Sequence, residues 1–558
     1  VNQSGVSKKL KVSNFVNAAI TANTAKTGIT SGQTSAITAN TAKVTNATHS
    51  GEVTGATALT IADNIVDEAN LKVSNTPTNG YVLTAQSGNT GGLTWAADAG
   101  GATSINGLSD GTTPATGNIG LGTNAVNSIT TGDYNVGLGD EALTDNTSGA
   151  DNVAVGYLAL SDNTTGIRNV AIGNRALLAN TTGNDNISMG VSSLSTNTTG
   201  SFNTALGRLA LQNNTTGASN TAVGYQSLKD NTTGGDNVAI GELAMENNTT
   251  GIRNTAMGSS ALFTKTTGND NVAIGNAALY ANTTASNNTA VGGNTLAANT
   301  TGASNTATGF KSMFLNTTGL QNAAFGYEAL YSNTSGNYNI ALGITALGAN
   351  TTGDNNVAVG RLALTGNTTA DDNTAVGYQS LTGNTTGNNN TAVGKDSLSR
   401  NTTGIEGTAV GMNALDHNTT GTANTAVGYA AVTAVSTGSY NTGVGRASLA
   451  SVTTSNYNTG LGAYSLSGNT TGTSNVAVGY QAGMTINTGD YNVAVGATAL
   501  DVATSANYNT AVGYASLGAN TTGPENTAVG SYALLANITH EASVAVGYNA
   551  LRASVSNS

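Results

Sequence analysis

Glycine recurs at every seventeenth position from Gly122 to Gly547, 26 times without an insertion or a deletion. A fixed period of this kind marks a chain built from one stacked unit, and it outranks every other local signal. Composition alone suggests disorder, since Gly (73 of 558 residues), Asn, Thr and Ser dominate and only 8% of residues are charged. The periodicity overrules that reading. Segments between the punctuating Asn and Gly residues are about five residues long, too short for stable helices. The stretch leading to each marker glycine alternates as a short strand does. One repeat therefore reads as one turn of a parallel β-solenoid. At a strand spacing of ~4.8 Å, 26 turns make a rod roughly 125 Å long.

Each row of the unit carries its own expectation. The residue before the marker glycine is apolar in 25 of 26 copies, as in Val155, Ile172, Met189, Leu206 and Phe325, with Thr308 the exception. Four residues after the glycine stands Leu, Met or Val, as in Leu160, Met245 and Leu534, with Gly483 the exception. These two rows are expected to stack into one apolar ladder. The residue two before the glycine is always Ala, Ser or Gly, and the residue three after it is Ala or Ser except at Thr295. Rows this small require close backbone approach, either inside a thin coil or against a neighbouring chain. Asn-Thr-Thr-Gly recurs at the turn, as at 163–166 and 231–234, and a second Asn stands four before the marker, with Gly407 and Ser543 as departures. Gly admits positive φ, Asn and Thr bond their own backbone at corners, and stacked Asn residues can form ladders.

Several chemistries are argued against by the same sequence. No cysteine is present, so a disulfide framework or thiolate metal site is excluded. Three scattered histidines (His49, His417, His540) make a poor metal centre within one chain. A net charge of −11 argues against a nucleic-acid footprint, and no run of 18 apolar residues exists to span a membrane as a helix. Asp151, Asp185, Asp236, Asp270 and Asp372 could be read as glycosidase carboxylates, but they recur at one repeat position, which is the habit of a solvated corner. The Gly-x-Gly stretches, such as 120–122, do not open helices, so phosphate binding is not expected. The Thr row before Ala is too often Val (Val153, Val170, Val238) for an ordered ice-binding face. No catalytic residue, metal or cofactor is expected, and the chain is read as non-enzymatic.

The pattern Asn-[Thr/Val]-Ala-Val-Gly, as in Asn220-Thr-Ala-Val-Gly224, closely resembles the head repeat of trimeric autotransporter adhesins. The resemblance spans residues 118 to 551. It implies a left-handed parallel β-roll, a homotrimer of such rolls, and a role in attachment. Phage tail fibres carry similar repeats, often followed by an endosialidase-type intramolecular chaperone that cleaves itself off at a Ser/Asp junction, and Ser558 suits the upstream side of such a cut. The expected function is thus a phage virion tail fibre attaching to a host-surface glycan or protein, joined to other virion proteins at its N-terminal end, without nucleic acid or membrane insertion. A bacterial trimeric surface adhesin and a purely structural extracellular filament are the alternatives.

The flanks divide the chain further. Residues 1–45 read as a connector in which Ile20-Thr-Ala-Asn-Thr-Ala-Lys26 recurs at 37–43, with Ile20, Ile37, Asn23 and Asn40 placed like core layers of a short trimeric coiled coil. Residues 46–98 resemble the small β modules of phage tail fibres, 99–117 read as a linker, and 552–558 as a tail. Within the repeats, ten of the 19 Tyr lie after residue 428. Tyr440, Tyr457, Tyr491 and Tyr508 share one position, just before the corner Asn. They are the candidate receptor contacts, because Tyr offers rigid amphipathic area. The competing reading is that they cover an apolar corner, as Tyr134, Phe202 and Tyr338 would upstream.

Overall fold

The computed structural model describes residues 81–85, 93–97, 115–264 and 267–553. Residues 1–80, 86–92, 98–114, 265–266 and 554–558 lie outside them, and with them the expected coiled coil and most of the expected β module. Within residues 46–98, strands β1 (Tyr81–Ala85) and β2 (Leu93–Ala97) pair as an antiparallel hairpin, Tyr81 opposite Ala97.

The repeat region is a parallel β-solenoid, and no helix occurs among the described residues. It contributes 26 strands of three residues, from β3 (Ile119–Leu121) to β28 (Val544–Val546), each the segment just before a marker glycine. Each pairs in parallel with the strand one turn away and always in the same register: Thr221, Ala222 and Val223 lie opposite Val238, Ala239 and Ile240. The ladder is open, since the pairs run from β3–β4 to β27–β28 without one that joins the two ends. Parallel neighbours need a crossover of a dozen or more residues. The 14 residues left in each 17-residue turn supply that crossover without a helix.

The return path is short because it turns on left-handed residues. In the turn of Gly156, Asp151 (φ 59°), Leu158 (φ 54°) and Leu160 (φ 52°) all have positive φ. Such residues cost about 1–2 kcal/mol each. Here each one's N–H is fixed to another turn: Asp151 donates to the Asp133 carbonyl (3.0 Å), Leu158 to Asp140 (3.0 Å) and Leu160 to Ala176 (2.9 Å). The marker glycine has a stricter reason to be glycine. At Gly224 φ is 136°, and an added Cβ would lie 2.5 Å from the Gly241 carbonyl oxygen of the next turn.

The apolar row before the glycine faces the other way from expectation. The small residue two before the marker points inward and is fully buried, as at Ala154, Ala222 and Ala426. Its neighbours on both sides point out, so Met189, Phe325 and Leu342 remain 40%, 40% and 48% exposed. Val427 is likewise on the outer face and only half-buried. The reason is width. The interior receives one Leu, Met or Val per turn from the opposite wall, and only a small residue fits across from it. A Cβ on Gly137 would already stand 2.6 Å from the Val126 methyl. Both small rows are therefore satisfied inside a single roll, and neither requires a neighbouring chain.

Amides complete the interior. In the ladder before the strand, Asn220 donates through its backbone N–H (3.0 Å) and Nδ2 (3.2 Å) to Asn203 Oδ1. In the turn ladder, Asn231 Nδ2 donates to Asn214 Oδ1 at 2.7 Å. The ladders meet at one atom, because Asn220 Nδ2 and Asn231 Nδ2 both donate to the Gly234 carbonyl at 2.9 Å. All these side chains are fully buried, and such burial is tolerable only with every rung satisfied.

Candidate functional site

The four candidate tyrosines stand on one corner column, five residues before the marker glycine. Each is left-handed, with φ between 56° and 61°. The N–H of each donates to the preceding turn, Tyr440 to Thr422 (2.9 Å), Tyr457 to Ser439 (3.2 Å), Tyr491 to Thr473 (3.0 Å) and Tyr508 to Asp490 (3.1 Å). The preceding residue locks the corner a second time, since Ser439 N–H donates to Asn456 Oδ1 and Asp490 N–H to Asn507 Oδ1, both at 2.6 Å. A backbone held this way presents its side chain outward at low entropic cost.

The structure brings the four together as two pairs. Tyr440 and Tyr457 stack at 5.2 Å with planes 6° apart, and Tyr491 and Tyr508 at 5.1 Å with planes 2° apart. Ser474 occupies the turn between the pairs. The rings are more than half exposed, with Tyr440 at 53% and Tyr457 at 61%. The corner residues five positions earlier, Val435, Val452, Ile486 and Ala503, are apolar and buried as completely as the Asn residues are in other turns. A pattern in the sequence announces this. The first residue of the Asn-Thr-Thr-Gly turn becomes apolar at Ile129, Val435, Val452, Ile486 and Ala503, and five residues later stands Tyr134, Tyr440, Tyr457, Tyr491 or Tyr508. Asn469 is stranded between two such turns, and its Oδ1 has no hydrogen-bond partner.

Upstream, the same column carries charge. Arg168 grips Asp185 through Nε (2.6 Å) and Nη2 (2.9 Å), and Arg253 grips Asp270 in the same way (2.7 and 2.9 Å). The Arg168 hydrogen bond holds the Asp185 carboxyl below its ordinary value. Burial raises Asp162 and Asp501. These carboxylates stand at corners of separate turns and converge on no common cleft. Among the described residues no group of three or more His, Asp or Glu side chains could hold a metal. His417 Nδ1 lies 3.1 Å from the Thr433 carbonyl and His540 Nδ1 3.2 Å from Asn537 Oδ1.

A second aromatic column, five residues after the marker glycine, escaped the sequence reading. Phe263 stacks on Tyr280 (5.1 Å, 8°) and Phe314 on Tyr331 (5.5 Å, 15°). Its signal was the same 51-residue spacing between pairs, from Phe263 to Phe314 and from Tyr440 to Tyr491. No protein-family model matches the chain, and neither a curated protein nor a solved structure does.

Proposed function

We propose that this rod is the shaft and adhesive surface of a homotrimeric phage tail fibre, a virion component that attaches to the host cell surface. The observation that carries the reading is the outer face of the strand ladder. Two apolar or Thr side chains per turn point outward along the ladder, and members such as Ile172, Met189, Phe325 and Leu342 are 38–48% exposed. A continuous apolar stripe of this length is not left in water by an ordinary monomer. Three parallel copies placed ladder to ladder would cover it, and the resemblance to trimeric adhesin heads, which implies left-handed rolls, supplies the number three. The regular turns upstream serve as a spacer, and recognition belongs with the exposed Tyr pairs. Their repetition over three chains multiplies weak contacts into avidity.

Two measurements test this. Native mass should give three chains, and a stable folded monomer at micromolar concentration would count against the trimer. In an adsorption assay, changing Tyr440, Tyr457, Tyr491 and Tyr508 to Ser should lower particle attachment at least tenfold in a fibre that remains trimeric. Unaltered adsorption would remove these residues from recognition.

A further inference from the structure

The second aromatic column contains a gap of defined width. Phe263 and Tyr280 stack, then Ala297 takes the ring position, then Phe314 and Tyr331 stack. Over Ala297 lies a cleft of about 370 Å³, lined by Ala277, Tyr280, Asn294, Ala297, Ala298 and Phe314. Its two walls are ring faces two turns apart, about 9.6 Å at the ~4.8 Å spacing of strands. The space is therefore that of one missing ring in a stack.

From this geometry we infer that the Ala297 cleft is a saccharide subsite that takes one uncharged pyranose between Tyr280 and Phe314. Three observations select that occupant. No charged side chain lines the cleft, and the Lys311 ammonium beside it is engaged with the Phe310 and Phe314 rings at 5.4 and 5.6 Å. The two walls are aromatic faces, whose negative π clouds attract the polarised C–H groups on the two faces of a sugar chair. The polar groups are Asn294 and the Tyr280 hydroxyl, which can bond the equatorial hydroxyls at the ring's rim. The cleft also stays open in the proposed trimer. The residue before each ring, such as Leu279 or Leu296, is buried inside the roll against the wall formed by the strands, so the rings project from the wall opposite the strand ladder. A second cleft of about 250 Å³, with Tyr331 and Gly348 in its lining, follows at the next small residue of the same column.

The proposal deepens the attachment reading and rests on it for the source of the sugar. Purified rod is probed by saturation-transfer NMR with methyl glucopyranoside, methyl galactopyranoside and phenol, without cells. The glycosides should receive saturation on their ring protons. Ala297→Tyr, which completes the stack with the protein's own ring, should reduce the effect at least tenfold with unchanged thermal melting. Tyr280→Ala, which removes a wall without adding bulk, should do the same and serves if the first variant misfolds. Glycoside signals unchanged by both variants would overturn the proposal, as would phenol occupying the cleft while neither glycoside does. Adsorption is scored separately on particles. A cleft that binds glycoside on a fibre without a role in adsorption upholds the subsite and removes only the attachment reading.

Discussion

At the residue scale, the position of an amide in its ladder decides its worth. Asn231 is a mid-ladder rung. It donates to Asn214, and its own Oδ1 accepts from Asn248 Nδ2 at 2.9 Å. Replacing it by Ala strips a buried donor of its acceptor and a buried acceptor of its donor. Each such loss costs about 1–3 kcal/mol. Asn469 stands between the apolar corners Val452 and Ile486 with its Oδ1 already unpartnered. The carbonyl it serves, Gly472, also accepts from Asn458 Nδ2 at 2.9 Å. Asn469→Val should therefore be neutral or stabilising, although it changes the same residue type at the same repeat position. Denaturant midpoints of the two variants check this, and equal destabilisation would mean that the ladder bonds contribute nothing beyond packing.

At the scale of the element, the three-residue strand was legible as a strand, but its facing was not. Thr-Ala-Val offers an obvious apolar side chain, and hydrophobicity alone points Val427 inward. The return path overrides that choice by filling the interior with one large residue per turn, which leaves room only for Ala426 on the strand side. This is a matter of volume across the roll, and no periodicity along the chain reports it. The Tyr corner was legible because one residue type recurs at one position. The Ala297 cleft was not, because its column changes identity from turn to turn and only rings placed two turns apart, with a small residue between them, make it a cleft. The outward facing sets what Val427→Asp should do. A single roll should tolerate the carboxylate in water, with stability altered by no more than the ±0.5 kcal/mol usual for surface changes. Side-by-side packing of rolls would bury the carboxylate without a partner, which costs several kcal/mol per chain. Native mass spectrometry should show chains released from the proposed trimer with their β-sheet circular dichroism intact. Loss of the β signal together with the trimer would instead tie the folding of each roll to its neighbours.

At the scale of the whole molecule, stability is a sum of like turns and their interfaces. The constant register makes a sharp prediction. Deleting residues 237–253, 17 residues from one Asn to the residue before the next, removes a complete turn and rejoins Asn220 to Asn254 in the same relation. That rod should fold, and its melting temperature should stay within a few degrees of the parent. Deleting one residue fewer shifts the two halves by one position at the junction. It turns inward-pointing Ala out and outward-pointing Val in, since a one-residue slip exchanges the faces of a strand. Protease should cut that rod near the junction and leave the full-turn deletion whole.

The unbroken 17-residue register also has a hereditary side. Near-identical repeats in a gene are prone to unequal exchange, which adds or drops whole copies. Here each copy is worth one increment of about 4.8 Å and leaves every corner in phase. The three-turn spacing shared by the two aromatic columns, Phe263 to Phe314 and Tyr440 to Tyr491, is the imprint that copying in blocks would leave. The reach of the rod and its number of ring pairs can thus change together in discrete steps, by gain or loss of blocks, with no new interface to evolve.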